Sequence, residues 1–193
     1  RIAVAPMCQY SANDGVMSDW HLAHLTAMAS ASPGLVVIEA TGVERIGRIS
    51  HGCLGLYSDA SMRAMAHVIS FAKSVAPHVK FGVQLGHAGR KASANIPWEG
   101  DDHIAEDDPR GWATISPSAV AFGTNLPKQP KAMTLEDIAR VRNDFVAAAC
   151  RARDAGFKWL ELHFAHGYLA QSFFSVHANQ RTDQYGGDYT SRS

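Results

Sequence analysis

Strand-length apolar runs alternate with longer helical patterns along this chain, and that alternation limits its fold more than any other feature. Ile2–Ala5 reads as a strand ended by Pro6, and the polar turn Ser11–Gly15 follows. Ser18 is a natural N-cap for a helix that places Trp20, Leu22, Leu25 and Met28 at mixed helical spacings before Pro33-Gly34 stops it. The apolar run Leu35–Ile38 has no polar alternation, as expected of a strand buried on both faces. A Gly-rich loop, Gly42 to Gly55, leads to Ser58-Asp59 and a helix carrying Met62, Met65, Ala66, Ile69 and Ala72 on one side. Pro77 ends that helix, and Phe81–Leu85 is the third strand. A long polar excursion runs from His87 to about Met133, with Trp98, Trp112 and several prolines. Thr134–Asp137 then resembles a capping box opening a helix to Ala155, with Gly156 as its stop, and Lys158–His163 is the fourth strand.

Such a succession implies right-handed crossovers and a parallel sheet. Two layouts fit, an open doubly wound sheet or part of a (β/α)8 barrel. The fingerprint G-x-G-x-x-G is missing after the first strand, which weakens the dinucleotide-binding version. A barrel takes about 250 residues, so four strands in 193 residues make about half of one. The chain opens on Arg1 rather than Met and is expected to begin inside a longer gene product.

Composition removes several function classes. With 46% hydrophobic residues and zero formal net charge, disorder is excluded. No basic run offers a footprint for nucleic acid or an anionic membrane, and no segment approaches the roughly 18 apolar residues of a membrane span. Cys8, Cys53 and Cys150 are odd in number and widely spaced, which argues against a disulfide framework and for a reducing, cytoplasmic setting.

The chemically versatile residues follow the strand ends: Cys8 and Tyr10, Glu39–Thr41, Gln84 and His87, then His163, His166 and Tyr168. In parallel α/β folds those ends share the face where sites sit. His163 and His166 as a metal pair would need further ligands, with Glu39 and Glu161 available, but no spacing singles them out. Two neutral imidazoles could instead hold a carbonyl oxygen. Tyr168 is either a proton donor beside them or a packing residue with a polar tip. Cys8 alone reads as a small hydrophobe. Gln84, an amide inside an apolar strand, demands partners that a bound ring with donors and acceptors would supply. His87–Lys91 fits either a cofactor contact or a solvated turn.

Ala5–Tyr10, Gln84–Lys91, His163–Leu169 and Asn179–Gly187 together resemble the successive signatures of the old yellow enzyme family of NADH:flavin oxidoreductases. The cysteine after Pro6-Met7, and Tyr10 two residues on, are similar to the thermophilic-like subgroup. Arg90–Asn95 with Trp98–His103 resembles its xenobiotic-reductase branch. The resemblance implies a (β/α)8 barrel and an FMN-dependent ene-reductase. NADPH or NADH would be the hydride donor and an α,β-unsaturated carbonyl or related xenobiotic the substrate. It implies that Ala5, Pro6, Met7 and Cys8 line the flavin, the cysteine tuning its potential, and that Ala40 and Gln84 contact the ring. His163 and His166 would bind the substrate carbonyl, Tyr168 would protonate the α-carbon, and Tyr10 would hydrogen-bond the substrate. No metal is implied, and a homodimer or higher homo-oligomer is expected.

Two departures stand against the pattern. Asp188–Arg192 replaces the family's Gly-Gly-Ser and Asn-Arg run, and the family barrel's second half, with its flavin-phosphate site, is not in this sequence. The competing readings are a metal-dependent barrel hydrolase built on the histidines, and a half-barrel fragment that acts only by association.

Overall fold

A computed structural model describes residues 2–100, 102–105 and 107–193, so Arg1, Glu106 and Asp101, one residue of the run Trp98–His103, lie outside the described residues. The main sheet is parallel, in the order β1 (Ala3–Val4), β2 (Leu35–Gly42), β3 (Lys80–Gly86), β6 (Trp159–Leu162). Helices α1 (Asp19–Ser30), α2 (Asp59–Val75) and α3 (Leu135–Asp154) are the crossovers, on the expected segments. A smaller parallel pair, β4 (Ile115–Ser116) with β5 (Lys131–Ala132), forms within the excursion. Two short helices, α4 (Leu169–Phe174) and α5 (Tyr189–Arg192), follow β6.

Alternation along β3 sorts its faces. Phe81, Val83 and Leu85 are fully buried in the core with Met65, Ile69, Ala72 and Ala148, while Gly82, Gln84 and Gly86 point to the opposite, inner face. Burying one such large apolar side chain stabilises the fold by about 1.5–3 kcal/mol. The central run Val36–Ile38 is buried on both faces, as its sequence requires.

Three local expectations shift. The first strand contracts to Ala3–Val4, and the fourth to Trp159–Leu162. Trp20 does not share the buried stripe of α1; it lies 53% exposed while His21, Leu25 and Ala29 face inward. A histidine takes that place because its Nδ1 accepts from Ser18 N–H while its other edge stands against the Glu39 carboxylate, a compensation that apolar periodicity does not report.

The excursion is bound down rather than loose. Arg90 is buried, and its guanidinium donates to the carbonyls of Val120 (3.2 Å) and Ala121 (3.1 Å) while lying 5.3 Å from the Phe122 ring centre. Arg181 donates to Pro117 O and Met133 O, tying the interior and the end of the excursion to the segment after α4. Ile115, Met133, Val141 and Leu169 close a second apolar cluster beneath it.

Candidate active site at the strand carboxyl ends

A β-bulge in β2 sets the geometry. Ile38 pairs with Val83, but Ala40, not Glu39, pairs with Gln84. The extra residue reverses the parity of the strand, as bulges beside sites commonly do. Ala40 thereby joins Gln84 on the inner face. Glu39 turns outward to α1, where its Oε1 lies 3.2 Å from His21 Nε2. Gln84 is 9% exposed and its amide donates to Glu161 Oε1. Glu39 is thus turned away from the two histidines, Glu161 is engaged by Gln84, and among the described residues no three His, Cys, Asp or Glu gather to hold an ion.

The chain leaving β6 brings the second half of the site together. His163 N–H continues the ladder to Leu85 O at 2.8 Å. His166 (φ 55°) and Gly167 (φ 77°) then turn through the left-handed region, and Tyr168 becomes the N-cap residue of α4. Glycine is required at 167, since a Cβ there would also meet the Phe122 ring at 2.5 Å. Lys91 braces the turn, donating from Nζ to His166 O at 2.9 Å with its ammonium 5.0 Å from the Tyr168 ring centre. The ring of His163 consequently stands edge-on to both His166 (5.0 Å between centres) and Tyr168 (4.8 Å). His163 and Tyr168 line one cleft with Ala40, Gly86 and Arg48. Burial first, and the neighbouring His166 second, hold His163 below the usual imidazole range, so it is a neutral ring near pH 7.

The segment after β1 meets the carboxyl end of β2 at Ala40. Cys8 is half-buried and makes a backbone hydrogen bond with Ala40. Its thiol is hydrogen-bonded to Cys53, and that bond, with burial, pushes the Cys8 thiol well up. Cys53 in turn meets Ser50 Oγ at 3.2 Å. Met7 and Ala5 are exposed and Pro6 half-buried. Tyr10 also has a left-handed backbone (φ 52°), and its ring stands edge-on to Trp98, 5.6 Å between centres. His163, His166, Tyr168, Ala40 and Gln84 are therefore brought together, Cys8 joins them through Ala40, and Tyr10 is placed against the excursion.

The run His87–Lys91 divides its tasks. His87 is buried; its Nδ1 accepts from Gly89 N–H (3.0 Å) and its Nε2 donates to Glu44 Oε1 (2.8 Å). Arg90 clamps the excursion, while the Lys91 ammonium lies against the Tyr168 ring. Glu44 also pairs with Arg140 of α3. Burial pushes the Glu44 carboxyl up, but the hydrogen bond from His87 and the Arg140 ion pair outweigh it and hold the group below its ordinary value.

The whole of residues 1–193 matches the model of the NADH:flavin oxidoreductase / NADH oxidase family. The chain belongs to that family. It is an old yellow enzyme family chain by its relatives as well. An NADH:flavin oxidoreductase of Gibberella zeae is 45% identical over 194 residues, covering 100% of this chain and 46% of the relative. An NADPH dehydrogenase of Listeria welshimeri is 41% identical over 189 residues, covering 97% and 50%. Among solved structures, morphinone reductase superposes with a TM-score of 0.80 at 27% identity, covering 100% of this chain and 51% of that one. Old Yellow Enzyme from a Pichia species gives 0.82 at 28%, covering 98% and 48%. The chain spans about half the length of the curated relatives it matches. Its parallel sheet with crossover helices is accordingly part of a (β/α)8 barrel rather than an open doubly wound sheet.

Proposed function

We propose that this old yellow enzyme family chain carries the substrate-binding and proton-donating half of an FMN-dependent ene-reductase. The observation that carries the reading is the edge-on cluster of His163, His166 and Tyr168 beside the Ala40–Gln84 pair.

The residues fit a flavin on their chemistry. Gln84 offers an amide donor and acceptor on an inner face, complementary to the polar edge of a flavin pyrimidine ring. Ala40 beside it keeps only a methyl group in the way, and Ala5, Pro6, Met7 and Cys8 supply an apolar wall on the neighbouring segment. FMN, when bound, supplies the hydride relay between NADPH or NADH and the β-carbon of an electron-poor alkene.

The chain's own groups do the rest. The imidazoles at 163 and 166 donate N–H bonds to the substrate carbonyl oxygen and stabilise the negative charge that grows there as the β-carbon is reduced. Tyr168 Oη gives its proton to the α-carbon, a general-acid step. Lys91, with its charge beside the Tyr168 ring, favours the phenolate left behind. Tyr10 orients the substrate from the side of the excursion. Releasing the chromophore by heat from the purified full-length protein and weighing it tests the cofactor: FMN is expected, and FAD or no flavin overturns the reading.

A further inference from the structure

We propose that Glu39 is a positioning residue: through the Gln9 N–H it fixes the Cys8–Tyr10 segment against the carboxyl end of β2, with His21 as its brace. Glu39 is the bulge residue of β2, and it is 3% exposed. Its Oε2 accepts from Gln9 N–H at 3.1 Å, across a separation of thirty residues. Its Oε1 lies 3.2 Å from Nε2 of His21, which is 1% exposed, with the approach off the N–H axis.

The protonation pattern dictates a carboxylate. His21 Nδ1 accepts from Ser18 N–H at 3.0 Å, which leaves the ring hydrogen on Nε2, facing Glu39. Two donors, Gln9 N–H and His21 Nε2–H, therefore converge on one side chain. A carboxylate sets an acceptor oxygen opposite each, accepting from Gln9 N–H and standing 3.2 Å from His21 Nε2 off its N–H axis, whereas an amide turns its own NH₂ toward one of them. The same bulge that seats Glu39 there puts Ala40 on the inner face. One residue thus sets Ala40 on the strand and Cys8 on the adjoining segment, the two groups joined by the Cys8–Ala40 hydrogen bond.

The test compares Glu39→Gln, His21→Gln and His21→Leu, each checked for native circular dichroism, by the iodoacetamide labelling rate of Cys8 relative to exposed Cys150 in the same molecule. Glu39→Gln and His21→Leu are expected to raise the ratio about tenfold, as an orphaned buried donor or acceptor loosens the segment. His21→Gln, whose amide can still donate to Glu39, is expected to stay within about twofold of the parent. Should Glu39→Gln fail to fold, His21→Leu, which keeps the carboxylate, decides. A ratio unchanged in the folded variants overturns the proposal. The flavin readout rests on the proposed function: in FMN-loaded protein the Glu39→Gln midpoint potential is expected to shift, which general destabilisation would not cause, and an unshifted potential also overturns it. If the full-length parent protein takes up no FMN, the flavin reading fails while Cys8 labelling still decides the role of Glu39.

Discussion

At the scale of single residues, the proposal divides labour among neighbours that touch. Replacing His163 by Ala removes one carbonyl donor. The expected result is weaker binding of phenol-type ligands and alkene reduction slowed by about 10²–10³, the usual effect of deleting such a donor. Ligand titration of the flavin absorbance and steady-state rates check both. Of these residues, the strand-end positions of Cys8, Gln84, His163 and Tyr168 were legible in the sequence because chemistry-bearing side chains interrupt apolar runs there. The roles of Glu39 and Arg90 were not. Glu39 reads as an inner-face group by simple alternation, and only the bulge, a pairing between distant segments, turns it to His21. Arg90 reads as a solvated cation, and its carbonyl partners lie some thirty residues away in the excursion.

At the scale of elements, the left-handed His166-Gly167 turn is what delivers Tyr168 to the cleft. Gly167→Ala meets both a positive φ and the Phe122 ring, at a cost of about 1–3 kcal/mol. A fall of several degrees in Tm is expected, with ligand affinity reduced because Tyr168 moves; an unchanged melt would show that the turn tolerates a side chain. The Glu44–His87–Arg140 contact joins the loop after β2, the end of β3 and α3. Because folding holds the Glu44 carboxyl below its unfolded value near 4.3, its contribution is present above that pH and is lost as pH falls through the folded value. Denaturant titrations of the parent and Glu44→Gln should therefore differ by about 1.5–3 kcal/mol near pH 7 and converge once pH has fallen through the folded value. A constant gap across that range would contradict the assignment. Helix boundaries were legible from caps, with Ser18, Ser58 and Thr134 all standing where the sequence puts them. The β4–β5 pair was not legible, because two-residue strands carry no periodicity.

At the scale of the molecule, the sheet is unevenly covered. Trp159, Leu160 and Leu162 of β6 are each 43–55% exposed, whereas β2 and β3 are buried. A polypeptide of these 193 residues alone is expected to bind an apolar dye, to self-associate through that edge, and to hold FMN weakly at best. Light scattering and flavin titration check this, and a dye-silent monomer with tight stoichiometric FMN would contradict it. The alternation of strands and helices made the parallel layout legible from the start. The choice between barrel and open sheet was not legible from periodicity, since both satisfy the same pattern, and likeness to whole relatives resolves it. The most direct test of the account uses flavin-containing protein and stopped-flow absorbance, comparing the parent with Tyr168→Phe. Reduction by NADPH should be equally fast in both, while anaerobic reoxidation by an enone should slow by about 10²–10⁴ in the variant. Reoxidation at the parent rate would contradict the assignment of Tyr168 as the proton donor, and with it the chemistry proposed for this site.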